Sequence, residues 1–364
     1  MSEWKEYKLG DIASFSYGKL PKHDLLGKGS YVTFSGYKYI ERYPEYNCEK
    51  GDVILVARGV GGTGDVKITS QRCFLTNLSI KIELDNSIVL NDYFYNLFRQ
   101  DNLRYLDSGS AQSQITIQDL ANVTIEIPPI DEQQRIAGVL SSLDDKIDLL
   151  NRENATLEAL AETLFRHYFI ENPDPTWKEV SLSSIATFLN GLACQKYPPK
   201  DLINRLPVLK IKELSSGITK DSDWATTDVG EEYIVHSGDV IFAWSASLMV
   251  KMWNGEDCVL NQHLFKVTSD IFPRWYYYLW CKYHLQEFIS IAQSHATTMG
   301  HIKRGDLDSA MVLVPSRNEM ETFTKQIEPL LDRVEVNYSQ INNLSIYRDN
   351  LLPHLMNGEL KVYE

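Results

Sequence analysis

The sequence predicts an α+β chain: two tandem β-rich globular domains, each followed by a long helix. The helices pair as an antiparallel intramolecular coiled coil with pseudo-two-fold symmetry. Three observations predict this. One heptad seam lies near the middle of the 364 residues, a second seam of the same phase follows 187 residues later, and the sequences flanking the seams repeat. The expected divisions are a first domain at 1–130, a spacer helix at 131–171, a second domain at 172–316, and a second helix with a tail at 317–364.

The first seam reads Ile136, Leu140, Leu143, Ile147, Leu150, Asn154, Leu157, Ala161, Leu164, in alternating steps of four and three. Such a stripe packs one helix lengthwise on another. The second reads Phe323, Ile327, Leu330, Val334, Asn337, Ile341, Leu344, Arg348, Leu351. Each seam holds one Asn. Asn154 falls at a heptad a position and Asn337 at d, and in an antiparallel pair a faces d. A lone buried amide is costly, whereas a paired one fixes register. Asn154 and Asn337 are therefore expected to face each other.

Taken in order, the chain is a repeat. Trp4-Lys-Glu-Tyr-Lys-Leu returns as Trp177-Lys-Glu-Val-Ser-Leu, and Gly51-Asp-Val-Ile as Gly238-Asp-Val-Ile. Cys73-Phe-Leu returns as Cys258-Val-Leu, and Tyr93 to Phe98 as Trp275 to Trp280. A period this long is a domain duplication. Val53–Ala57, Val66–Thr69, Leu78–Ile82 and Val123–Ile127 read as short strands between turns. Short helices are expected around Asp92–Arg99 and near Arg274–Tyr283. Asp131 with Gln134, and Asn318 with Glu321, have capping-box spacing at the starts of the long helices. Asn172-Pro-Asp-Pro-Thr176 breaks the first helix. Residues 19–50 and 192–237 barely align although their borders do, so one scaffold carries two different surfaces.

Composition bounds the function. No apolar run approaches a membrane span, and the first residues lack a signal-peptide core. Five cysteines without a C-x-x-C pair suggest a reducing cytoplasm and buried core thiols, with no metal or cofactor expected. The net charge of −13 argues mildly against nucleic acid. The charge is uneven, however: residues 1–82 carry +3 and residues 131–170 carry −4. A basic face on each globular part is compatible with that balance.

Gly59-Val-Gly61-Gly-Thr-Gly64 fits a dinucleotide fingerprint, but Asp65–Thr69 reads as strand where a helix is required, so it is a Gly-rich turn. The histidines form no zinc pattern, and no nucleophile elbow or methyltransferase or nuclease motif is present. Binding, rather than catalysis, is the expectation. In the first domain the polar, basic and aromatic candidates for DNA contact are Lys19, Lys22, Lys28, Tyr37, Lys38, Arg42 and Arg58, with Ser110, Gln112, Ser113 and Gln114 before its last strand. In the second they are Lys196, Lys200, Arg205 and Lys212, with His295, Thr297, Thr298, His301, Lys303 and Arg304 in the matching loop. Lys and Arg suit phosphates; Ser, Gln and Arg suit base edges. Most such residues in any protein are simply solvated, and the matched position of the two loops is the better signal.

Ile127-Pro-Pro-Ile-Asp-Glu-Gln-Gln-Arg-Ile136 followed by Leu143-Asp-Asp-Lys-Ile147 resembles the signature of type I restriction–modification specificity subunits. The domain–helix–domain–helix order resembles that family over essentially the whole chain. The second copy, Pro315-Ser-Arg-Asn-Glu-Met-Glu321, departs by lacking the second Pro and the Gln. The resemblance implies two target recognition domains that each read half of a split, asymmetric double-stranded DNA sequence. It also implies helices that space them and dock two methyltransferase subunits, restriction subunits that join the complex, and no catalytic site in this chain. About 30 seam residues make a spacer of roughly 45 Å, comparable with the roughly 34–36 Å between half-sites one DNA turn apart.

Two other readings stay open on sequence. An enzyme with an unrecognised nuclease or methyltransferase site would bind S-adenosylmethionine or cut DNA alone. A β-rich protein- or glycan-binding scaffold would use its aromatics as a platform, although Trp275 to Trp280 at helical spacing reads as core.

Overall fold

The computed structural model describes residues 4–36, 38–59, 62–99, 101–107, 113–294 and 300–362. The chain divides into two compact units, residues 1–147 with 344–364 and residues 148–343. The division therefore falls inside both long helices.

Unit 1 runs β1 (Lys5–Lys8), α1 (Leu9–Ile12), β2 (Ala13–Tyr17), β3 (Tyr31–Ser35), β4 (Lys38–Tyr43), β5 (Val53–Val56), β6 (Val66–Ile68), β7 (Cys73–Leu75), β8 (Ser79–Leu84), α2 (Asn91–Leu97), α3 (Ile117–Ala121) and β9 (Thr124–Ile127), and then enters α4 (Ile130–Arg166). An antiparallel sheet has the order β2-β8-β5-β6, and a second sheet has the order β4-β3-β7 with β3 parallel to β7. Strand β1 pairs with β9. The β-branched run Val53-Ile-Leu-Val56 is buried on both faces, as the central strand of a covered sheet must be.

Unit 2 contains β10 (Lys178–Ser181), α5 (Leu182–Ile185), β11 (Thr187–Asn190), β12 (Arg205–Leu209), α6 (Ile211–Ser216), β13 (Trp224–Thr226), β14 (Ile234–Val235), β15 (Val240–Ala243), β16 (Met249–Met252), β17 (Cys258–Leu260), β18 (Leu264–Thr268), α7 (Arg274–Ser294), α8 (Arg304–Ser309) and β19 (Met311–Val314), followed by α9 (Arg317–Met356). Its sheets are β11-β18-β15-β16 and β13-β12-β17-β14, with β12 parallel to β17 and β10 paired with β19. The two middles that fail to align in sequence thus share a topology: an antiparallel pair whose first strand runs parallel to the Cys-led strand.

The long helices contribute to the core of each unit. In unit 1, Ile136 and Leu140 pack in one cluster with Leu352, Leu355 and Met356. In unit 2, Ala161, Phe165 and Phe169 join Ile327 and Leu331 around Trp275, Tyr276 and Trp280. Each large side chain buried there contributes roughly 1.5–3 kcal/mol. Asn337 Nδ2 donates to Asn154 Oδ1 at 2.9 Å in a buried position, and Tyr168 Oη donates to Gln326 Oε1 at 2.8 Å, so the helices run antiparallel. In unit 1 Asp144 accepts from Arg99 and Arg348. Burial alone would raise the Asp144 carboxyl, but these two guanidinium groups hold it below the ordinary carboxylate range.

Three local expectations need correction. The helix expected near Arg274–Tyr283 continues to Ser294, because Phe288 and Ala292 keep the buried stripe going at helical spacing. The capping box of α9 is Ser316 with Glu319, two residues before the expected Asn318 and Glu321: Ser316 Oγ and N–H both donate to Glu319 Oε2. Helix α4 begins at Ile130, so Asp131 lies inside its first turn; Pro129 sets the start and its carbonyl accepts from Glu132 and Gln133.

At the helix entries the two units differ. The buried Gln133 amide donates to the carbonyls of Ile88 and Pro128 and accepts from the Leu90 N–H, clipping the loop before α2 to the start of α4. The residue 187 positions later is Met320. It lines an open groove with Ile271, Phe272 and Pro273.

Candidate nucleic-acid interface

In each unit, four chain segments meet at one rim of a four-stranded sheet, β2-β8-β5-β6 in unit 1 and β11-β18-β15-β16 in unit 2, around the turn that follows the Cys-led strand. In unit 1 this turn is Thr76-Asn77-Leu78. Asn77 N–H donates to the Lys19 carbonyl, Thr76 N–H to the Phe34 carbonyl, and the Leu78 carbonyl accepts from Arg58 N–H. Ser79 Oγ donates to the Gly36 carbonyl, which brings the β3–β4 turn to the same place. Arg58 pairs with Gln114 as an isolated antiparallel bridge, and Ile115 N–H donates to the Ala57 carbonyl.

Unit 2 repeats these bonds around Asn261-Gln262-His263. Gln262 N–H donates to the Leu192 carbonyl, Asn261 N–H to Leu209, and the His263 carbonyl accepts from Trp244 N–H. Ser245 pairs with His301, and Ile302 N–H donates to the Trp244 carbonyl. The rim is built by close backbone approach. A Cβ on Gly18 would lie 2.2 Å from the Thr76 oxygen, and one on Gly191 would lie 2.3 Å from the Asn261 oxygen. Only glycine fits at either crossing.

The side chains on the two rims differ. Arg58 is half-buried. Its guanidinium lies 6.0 Å from the centre of the Tyr17 ring, and Tyr17 Oη accepts from the Ile117 N–H. No carboxylate pairs with Arg58 among the described residues, and its buried Nε has no hydrogen-bond partner there. Gln114 N–H and Ser113 Oγ both donate to Asp107, which anchors the segment and leaves the Gln114 side chain without a hydrogen bond among the described residues. Unit 2 instead carries side chains bonded to one another, with no Lys or Arg among them. Ser245 Oγ meets His263 Nδ1 at 3.1 Å, Trp244 Nε1 donates to Asn190 Oδ1 at 3.0 Å, and the Trp244 ring lies 5.9 Å from His263 and 6.3 Å from His301.

The remaining sequence candidates fall into three groups. Lys19, Lys22, Lys28, Lys38, Arg42, Lys196, Lys212, His301, Lys303 and Arg304 are exposed. Lys38 and Arg42 lie on edge strand β4, on opposite faces because a bulge between them shifts the register, while Lys303 and Arg304 open α8. Others already have protein partners: Lys200 pairs with Asp228 at 2.7 Å, and Arg205 stacks 4.2 Å above the Trp224 ring. Tyr37, Ser110, Gln112, His295, Thr297 and Thr298 lie outside the described residues.

Sequence reading overlooked Tyr17, Asn190, Trp244, Gln262 and His263. The available signal was the border of the repeat, where Tyr17-Gly18 returns as Asn190-Gly191 and the residue type changes beside an unchanged glycine. Among the described residues, no group of three or more His, Cys, Asp or Glu is placed to hold a metal ion, and no helix is long and apolar enough to cross a membrane.

Comparisons with known proteins agree on one family. Residues 1–159 and 175–345 match the type I restriction modification DNA specificity domain. The chain is similar to the MjaIX type I restriction enzyme specificity subunit of Methanocaldococcus jannaschii, with 25% identity covering 99% of this chain and 89% of the relative. It is also similar to the HindI specificity subunit of Haemophilus influenzae, with 27% identity over 47% of this chain and 42% of the relative. It shares its fold with the crystal structure of a type I restriction–modification S subunit from M. genitalium, with a TM-score of 0.65, 16% identity and coverage of 97% and 96%.

Proposed function

The chain belongs to the type I restriction modification DNA specificity family and is a specificity subunit with two target recognition domains; from that premise we propose that each rim reads one half of a split, asymmetric DNA target. The observation that carries the proposal is the pair of rims: one backbone pattern, kept by matched glycines, displaying Arg58 and Gln114 in one unit and Ser245, His263 and His301 in the other. A common docking geometry with different side chains is what reading two different half-sites requires. The exposed cations Lys19, Lys38, Arg42, Lys303 and Arg304 supply phosphate contacts around the rims. The overall charge of −13 then calls for further cationic surface from partner subunits.

The chain itself carries no catalytic role in this reading; methyltransferase and restriction subunits bring the chemistry. The long helices are the docking surface for the methyltransferase subunits. Leu149 and Leu160, three helical turns apart on one face of α4, are exposed, as are Val336 and Tyr347 at the positions 187 residues later. Two equivalent apolar pairs suit two copies of one partner. The buried Asn154–Asn337 pair sets the register of the two helices.

Co-expression of the chain with the methyltransferase subunit of its own system, followed by methylation mapping, tests the proposal. A two-part motif with a fixed gap, absent when the chain is omitted, is expected. Methylation that does not depend on the chain would overturn it.

A further inference from the structure

We infer that Arg58 reads a guanine in the half-site recognised by unit 1, through the major groove, and that Gln114 contacts the neighbouring base pair. This rests on the reading of the rims as the DNA-facing surfaces.

Four features of Arg58 separate it from the other rim cations. It is half-buried, where Lys19, Lys38, Arg42, Lys303 and Arg304 are exposed, and no carboxylate pairs with it among the described residues. Its main chain is pinned on both sides, by the Leu78 carbonyl and by the pairing with Gln114, so the side chain leaves a rigid base. The Tyr17 ring lies 6.0 Å from its guanidinium, at the outer reach of a cation–π contact. Its Nε is buried, which leaves the two terminal nitrogens as the free edge of the fork.

A preorganised guanidinium edge matches the O6 and N7 acceptors of guanine and no other base edge equally well. A phosphate contact has no need of such rigidity, and the flexible surface lysines nearby already provide it. The Gln114 amide, anchored through its main chain to Asp107, carries the donor and acceptor that suit adenine N7 and N6. Unit 2 has Ser245 in place of Arg58, with its hydroxyl already engaged by His263, so this guanine contact belongs to one half-site alone.

The test uses the complex of the full chain with its methyltransferase subunit and duplexes carrying the mapped target. Each guanine is replaced in turn by 7-deazaguanine, which removes N7 and keeps Watson–Crick pairing. With the unmodified protein, one guanine in the half-site assigned to unit 1 is expected to be sensitive, losing roughly 5- to 150-fold in affinity. Arg58→Met, which keeps much of the length and removes every donor, is expected to abolish sensitivity at that position and leave the other half-site unchanged. The inference is overturned if no guanine of that half-site is sensitive in the unmodified complex, or if the Arg58→Met complex keeps the same sensitivity. The wild-type arm stands even where the variant fails to fold. If the complex does not distinguish its mapped target from scrambled DNA, the reading of the rims itself has failed, a different outcome from the loss of one guanine contact.

Discussion

The backbone at Arg58 and the backbone at Ser245 make the same bridge to a residue in the loop before a short helix, yet one position holds a guanidinium with no carboxylate partner among the described residues and the other a hydroxyl bonded to His263. The helix entries differ in the same way. Gln133 makes three hydrogen bonds in unit 1, where Met320 lines an open groove in unit 2. Duplication has kept the contacts that define the fold, namely the backbone pairings, the glycine crossings and the seam. It has let the side chains at rim and groove diverge. Positions constrained by close backbone approach keep their residue type, as Gly18 and Gly191 do.

The largest effect that would sharpen this contrast lies at the helix entries. Gln133→Met strands the Leu90 N–H and the Ile88 and Pro128 carbonyls in a buried site, and is expected to cost about 3 kcal/mol. Met320→Gln in the open groove is expected to change stability by less than about 0.5 kcal/mol. Denaturant unfolding of both variants checks this; equal losses would mean that the clip is not specific to unit 1.

Next comes the helix pair. Asn154→Ala leaves the Asn337 amide buried and unpaired, and is expected to cost about 2 kcal/mol. Replacing both with Leu should recover that loss and loosen the register, which cysteine cross-linking along the helices would detect. A double variant as unstable as the single one would remove the register role.

Asp144 provides a pH test confined to unit 1. Its carboxyl is held low by Arg99 and Arg348, so it stabilises the fold above the ordinary carboxylate pKa of about 3.9 and loses that contribution as pH falls through its lowered value. The exchange protection of α2, corrected for the intrinsic pH dependence of amide exchange, is expected to fall on acidification below about pH 4, and Asp144→Asn should flatten that response while lowering stability by about 1 kcal/mol at neutral pH. An unchanged acid response in the variant would contradict the assignment.

The smallest effect distinguishes the two rim turns. Ala246, at φ 56°, is the one non-glycine residue in the left-handed region among the described residues, and Gly59 occupies the matching position at φ 132°. Ala246→Gly is expected to stabilise unit 2 by about 0.5–1 kcal/mol, whereas Gly59→Ala should destabilise unit 1. Thermal unfolding gives the sign of each.

Much of this architecture was legible in the sequence because it is written in period and spacing. The seam steps predicted both long helices, and the single Asn in each predicted that Asn154 and Asn337 would face each other, as their 2.9 Å hydrogen bond places them. The repeated Gly-Asp-Val-Ile and Cys-led runs marked strands β5, β15, β7 and β17. The middles were illegible because β3 and β12 are matched by their pairing partners rather than by their residues. The rim was half legible for the same reason. Arg58, Gln114 and His301 stood out as polar or basic candidates, the last two in loops at matched positions of the repeat, whereas Tyr17, Trp244 and His263 reach the site only through pairings between segments far apart in sequence.

The central claim is that each unit reads its own half-site. It is tested most directly by exchanging residues 1–130 for those of a specificity subunit with a different known target, and mapping methylation in cells that also express the methyltransferase subunit. The account predicts a new sequence in one half of the motif, with the other half and the gap unchanged. A motif altered in both halves, or in neither, would contradict it.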